Sequence, residues 1–178
     1  LEKLARLAEN IDRTEPVLSL RLALLYLCFE KDMALSAIEL PGWSNETKKL
    51  LQYAVGLSEE LDGIRDKADL KRFISRIGLE YYRYLETLSE QRCRVWRLDE
   101  EGPGLRRELF DTVRRNQEPV FMGDLAVNGS DLIERGIKEG AEIGRLLGIL
   151  LDAVHEDPGK NRKDLLLELA TEKRNVPK

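Results

Sequence analysis

The chain is poor in the residues that build most metal and redox sites. His155 is the only histidine among 178 residues, and Cys28 and Cys93 are the only cysteines. No Cys-x-x-Cys pair and no His-Asp pair occurs, so no zinc site and no histidine-rich metal centre is expected. The two thiols read as free cysteines of a reducing, cytoplasmic compartment. No Asp-x-Asp occurs. No run of eighteen apolar residues exists, so no transmembrane helix is indicated, and no signal peptide is visible in "LEKLARLAEN", which is charged throughout. The absence of an initial methionine suggests a fragment or a processed product. Sustained two-residue alternation is missing throughout, so no sheet is expected. Net charge is small: 29 basic against 33 acidic residues, giving −4. Neither half of the chain is a basic arm, so a nucleic-acid partner would need a local patch.

What is present is helical periodicity. Apolar residues make up 42% of the chain and charged residues 35%, enough to bury a core and keep a solvated face. Residues 2–11 repeat leucine and alanine at helical spacing. Pro16 permits a new start, and 17–32 reads as one core helix, with a short helical piece at 34–40. Pro41 and Gly42 break the chain, and Ser44 or Asn45 can cap the helix that follows. Gly78 ends the helix begun near Lys67. A long aromatic-rich helix follows from Leu79. "GPG" at 102–104 reads as a breaker before another helix at 105–117. The expected class is all-α, with a helical body over 1–118 and a small helical tail over 119–178.

The tail carries the most informative stretch, "LAVNGSDLIERGIKEGAEIGRLLGILLDAV". Gly129 and Ser130 open a short helix, and Gly136 suits its C-terminal stop. Gly140 stands where a second helix begins, and "DPG" at 157–159 makes a turn. Asn161 can cap a last helix, and the terminal "RNVPK" is expected to fray. Glycines at 136, 140, 144 and 148 allow two readings. They can let another helix cross closely. Alternatively, Gly140 can expose a helix N-terminus to phosphate, with Lys138 and Arg145 beside it, as in helix-hairpin-helix modules. Glu139 and Glu142 would oppose phosphate there. His155 reads as an ordinary surface or helix-end residue, and Trp43, Trp96 and the "YYRY" aromatics as core.

Asn128, Gly129, Asp131, Leu132, Gly136, Gly140, Ile143 and Gly144, with the leucine-rich helix after them, resemble the C-terminal region of bacterial tRNA nucleotidyltransferases. These are the CCA-adding enzymes and their poly(A) polymerase-like relatives. Ala141 replaces the proline common at that point in the family. The body's "LPGWSNETKKLL" is similar to a family helix start. The resemblance implies an enzyme that adds CCA, or A, to tRNA 3′ ends from CTP and ATP with Mg2+. It places catalysis in a head domain with an Asp-x-Asp after Gly-Ser. That pair is absent here, so the chain is expected to hold no catalytic and no metal residue, and to be the body and tail that grip the tRNA acceptor arm and elbow.

Backbone contacts would then dominate, because every tRNA must be accepted. The candidates are Lys138, Gly140 and Arg145; the pairs Arg106/Arg107 and Arg114/Arg115; and Lys160, Arg162 and Lys163. Each arginine pair has a second reading, a solvated helix face making ion pairs. Asn128, Gly129, Asp131, Gly136 and Gly144 are expected to shape the hairpin. A homodimer is a further expected partner; a membrane is not. The competing readings are a helical packing or dimerisation module without RNA affinity, and a duplex-DNA-binding hairpin protein.

Overall fold

The computed structural model describes residues 1–138 and 140–174. The chain is all-α, and no strand occurs among the described residues. The helices are α1 (Glu2–Asn10), α2 (Leu18–Tyr26), α3 (Lys31–Ile38), α4 (Asn45–Gly63), α5 (Lys67–Ile77), α6 (Leu79–Trp96), α7 (Glu101–Arg115), α8 (Gly129–Glu134), α9 (Ala141–Glu156) and α10 (Lys163–Arg174). None is long and apolar enough to cross a membrane.

Contacts divide the chain into two units. The first joins Leu1–Arg65 with Ile77–Glu108; the second joins Asp66–Arg76 with Leu109–Lys178. A single cut at residue 118, the boundary expected between body and tail, does not describe this division. The second unit recruits α5 from far upstream. There Lys67 and Lys71 donate to the carboxylate of Glu118, and Lys71 is wholly buried.

In the first unit, α4 and α6 form the centre, with α2 and α3 against α4 and α1 against α6. Ser44 caps α4 as expected, its hydroxyl accepting from the Thr47 amide at 3.1 Å. Leu51, Ala54, Leu61, Leu85 and Leu88 are buried between them. Trp96 and Tyr82 are core residues, and the Trp96 indole donates to the carbonyl of Lys3 at 3.2 Å.

Two local expectations fail here for tertiary reasons. The apolar stretch 17–32 is not one helix: α2 stops at Tyr26 and α3 starts at Lys31, so that Ala34 and Ile38 reach the core. "GPG" does not break the chain but lies in the first turn of α7. Proline is tolerated there, where its missing N–H has no partner to lose. Gly102 serves a packing need, since a Cβ on it would lie 3.3 Å from Nη1 of Arg106.

In the second unit, α8, α9 and α10 pack on one another around Leu132, Leu146, Leu150, Val154 and Leu166. Asn161 does not cap α10. Its carbonyl oxygen accepts from the Ala126 amide at 2.8 Å, and its amide donates to the carbonyl of Asp124 at 2.9 Å. The expectation for residues 175–178 lies outside the described residues.

His155 is buried, at 2% exposure, rather than on the surface. Its Nε2 lies 3.0 Å from the carbonyl of Val120, which only accepts, so Nε2 carries the proton. Nδ1 is buried with no partner. Burial pushes the ring's pKa below its ordinary 6.5, with the Val120 carbonyl opposing in part. The unfolded chain therefore takes up a proton before the folded one as pH falls. Stability from this site is complete above 6.5 and is lost as pH falls through the lower folded value. The expected result is a drop in unfolding free energy of the second unit between neutral pH and about pH 5, reduced in His155→Gln. Equilibrium unfolding across that range checks it.

Candidate nucleic-acid interface

The glycine hairpin is built from α8, a six-residue loop and α9. Asn128 and Asp131 close a reciprocal capping box on α8. The Asn128 side chain accepts from the amides of Ser130 (2.9 Å) and Asp131 (3.2 Å), and the Asp131 carboxylate accepts from the Asn128 amide at 2.8 Å. This satisfies amides that α8 would otherwise leave bare. Asp131 also accepts from the Lys163 ammonium, which ties α8 to the start of α10. Lys163 first, then the Asn128 amide, holds the Asp131 carboxyl below its usual range.

The end of α8 is equally determined. The amide of Gly136 donates to Ile133 (2.8 Å) and that of Ile137 to Leu132 (3.1 Å), with Gly136 at φ +80°. This is the paired bonding of a Schellman stop, and its apolar partners Leu132 and Ile137 are both buried. Gly140 then adopts φ +124°, ψ −151°, a region open essentially to glycine alone, and α9 begins at Ala141. Asn128, Gly129, Asp131 and Gly136 thus shape the hairpin.

The close helix approach falls elsewhere than the four-residue spacing suggests. A Cβ on Gly129 would lie 3.3 Å from Cγ2 of Ile143, so Gly129 is where α8 and α9 come together. Apart from the adjacent residues and the backbone of α9 itself, no described atom lies within 4 Å of a Cβ built on Gly144 or Gly140, and both are exposed. Gly148 meets only the methyl end of Met122, at 4.0 Å. A crossing helix over Gly140, Gly144 and Gly148 is therefore not found among the described residues. The expected outcomes are opposite in sign along one hairpin. Gly136→Ala and Gly140→Ala force a side chain into positive φ and destabilise by about 1–3 kcal/mol. Gly144→Ala meets only helix propensity and stabilises by up to about 1 kcal/mol. Denaturant midpoints of the three variants check this.

The basic candidates separate into three groups. Arg106 is withdrawn as a contact residue. Its side chain is 1% exposed, and Nε donates to Glu86 at 2.5 Å, Nη2 to Ser89 at 2.8 Å and Nη1 to the Leu61 carbonyl at 3.3 Å. Burial shows that this arginine holds the core of the first unit. Arg107, Arg162 and Lys163 are exposed but committed, to Glu90, Asp164 and Asp131 respectively. Lys138, Arg145, Lys160 and Arg115 are exposed and make no ion pair among the described residues. Arg114 is exposed and lies over the Phe110 ring at 5.8 Å.

Lys138 precedes Gly140 by two residues and Arg145 occupies the second turn of α9, so both cations flank the start of that helix in the chain. Glu142 lies in its first turn and offsets part of the positive end. Glu139 lies outside the described residues. No group of three His, Cys, Asp or Glu side chains that could hold a metal occurs among the described residues. Arg92, which the sequence did not single out, lines a cleft in the first unit with two buried donors unpaired. Nothing in the sequence separates it from any other mid-helix arginine. No family model, curated protein or solved structure matches the chain.

Proposed function

We propose that the chain is the RNA-gripping body and tail of a tRNA nucleotidyltransferase, cytoplasmic in setting. Its hairpin would hold the tRNA backbone by phosphate contacts. The observation that carries this reading is the exposed start of α9 after Gly140, flanked by Lys138 and Arg145 and left open at Gly144. A 16-residue helix directs roughly half a positive charge and free amides outward from that end. Cations that are not spent on ion pairs among the described residues are available to phosphate, whereas Arg107, Arg162 and Lys163 would first have to give up a carboxylate.

In this reading the transfer of C or A, with its Mg2+ and nucleotide triphosphate, belongs to a head domain outside this chain. The residues here do not fit such a metal: no Asp-x-Asp occurs in the sequence. No step of nucleotidyl transfer is assigned to them. The alternative, a packing or dimerisation module, predicts Gly140, Gly144 and Gly148 covered by another helix. The open space at Gly140 and Gly144 disfavours packing against another helix of this chain within the described residues.

The test is a titration with unmodified tRNA beside duplex DNA of equal length. Tighter binding to tRNA is expected, and equal or absent binding removes the reading. Gly144→Ala supplies an independent check. It should stabilise the fold yet weaken tRNA binding, because the methyl group narrows the approach to α9; unchanged affinity would show that the open glycine has no part in RNA contact.

A further inference from the structure

The guanidinium of Arg92, on α6, is only partly matched. Nη2 donates to Oδ2 of Asp62 at 2.8 Å, whereas Nε and Nη1 are buried with no acceptor among the described residues. Buried donors of a charged group are rarely left bare, and an unpaired one calls for a water or an ion. A guanidinium has two edges that share Nη2. Whichever edge Asp62 takes, the other keeps one wholly unpaired nitrogen and the second hydrogen of Nη2, the fork that an oxyanion fills bidentately.

Arg92 lines a cleft of about 470 Å³ within the first unit. That volume lies in the range of small-ligand sites, about 300–1,000 Å³. The side chain keeps 15% of its surface exposed, though not at Nε and Nη1, which are themselves sealed from solvent. Arg65, exposed and just beyond α4, lines the same cleft and spends only Nη1, on the carbonyls of Asp62 and Ile64. The first turn of α7 forms another wall and adds partial positive charge.

Carboxylates are present too. Two are already committed: Asp62 to Arg92, and Asp99 to the amide of Glu101 at 2.7 Å. Glu101 is exposed at the rim. Arg106 contributes no free charge, being neutralised by Glu86. The uncommitted donors of the cleft are on Arg92 and Arg65, and they share its lining with the carboxylate of Glu101, unpaired among the described residues, and the second oxygen of Asp99.

We propose that this cleft binds the phosphoryl group of a small phosphorylated molecule, with Arg92 as the buried anchor and Arg65 closing over it. The inference rests on the first unit alone and stands whether or not the glycine hairpin binds RNA.

The test titrates the full chain with inorganic phosphate, following the Arg92 Nε–H resonance and the binding heat. Saturable binding that shifts this resonance is expected. Arg92→Gln should weaken it roughly ten- to hundredfold, the worth of charge-assisted hydrogen bonds. Arg65→Gln, at an exposed position, should weaken it several-fold and keeps the test decisive if Arg92→Gln does not fold. No saturable change at Arg92, or equal affinity in the Arg65 variant, would overturn the site and assign the unpaired donors to water. An oligoribonucleotide without terminal phosphates forms the second arm. If it displaces phosphate from Arg92, the ligand is a polymer backbone and the small-molecule assignment falls.

Discussion

Replacing Arg106 with alanine is expected to destabilise the first unit by about 3–5 kcal/mol, because it leaves a mostly buried carboxylate without its counter-ion. Arg106 is 1% exposed, Glu86 is 16% exposed, and the guanidinium also serves Ser89 and the Leu61 carbonyl. Burial already pushes the Glu86 carboxyl above its usual value, against the pull of Arg106. Without the arginine that pKa rises further, and the folded variant holds a proton that the unfolded chain has released. The sign follows: the variant loses most stability at neutral and alkaline pH, and its deficit shrinks as Glu86 protonates in both states. Replacing both partners, Arg106→Met with Glu86→Leu, should recover most of the loss, since a matched apolar pair avoids desolvating charge. Denaturant unfolding of the single and double variants at several pH values measures this. A single-variant loss below about 1 kcal/mol would mean that water, not Arg106, satisfies Glu86.

Glu118→Gln is expected to have a similar effect on the second unit, about 3–5 kcal/mol, by a mirrored route. Here the buried charge left behind is a cation. Lys71 is 0% exposed and Lys67 is 38% exposed, and both ammonium groups share the one carboxylate. Burial alone would raise the Glu118 carboxyl; the hydrogen bonds from Lys67 and Lys71 together outweigh it and hold it below its usual 4.5. The unfolded carboxyl therefore protonates first on acidification. Stability from this cluster is complete above 4.5 and is lost as pH falls through the lower folded value. Acid unfolding of the second unit should have two limbs, the His155 limb at milder pH and the Glu118 limb below it. Glu118→Gln should abolish the lower limb and leave the upper one. Hydrogen exchange of α5 and α9 amides against pH resolves the two. A variant that unfolds with the same acid profile as the parent would contradict the buried cluster.

Features set by neighbours in the chain were legible in the sequence. The cap at Ser44, the Asn128–Asp131 box and the stop at Gly136 each need only residues within one turn, and each residue type announces its geometry. The all-α class followed from periodicity alone. Features set by distant neighbours were hidden. Arg106 looks in sequence like a solvated arginine beside Arg107, and only the position of Glu86 makes it a core residue. Asn161 has the residue type of a cap, yet a better pair of partners stands at Asp124 and Ala126. The break between Tyr26 and Lys31 contains no glycine or proline, because burial of Ile38 decides it. For the candidate interface, sequence supplied the positive-φ glycines but misplaced the tight approach. It lies at Gly129 against Ile143, a contact that the spacing of 136, 140, 144 and 148 does not encode.

The most direct measurement of the hairpin's role is the salt dependence of tRNA binding in the parent chain and in Lys138→Glu with Arg145→Glu. Each phosphate contact contributes close to one unit of slope in log affinity against log salt. The account predicts a steep parent slope, a variant slope shallower by about two, and weaker binding at every salt concentration. Both positions are exposed, so the variant should fold as the parent does. Equal slopes and equal affinities would contradict the account and leave the start of α9 without a role in RNA binding.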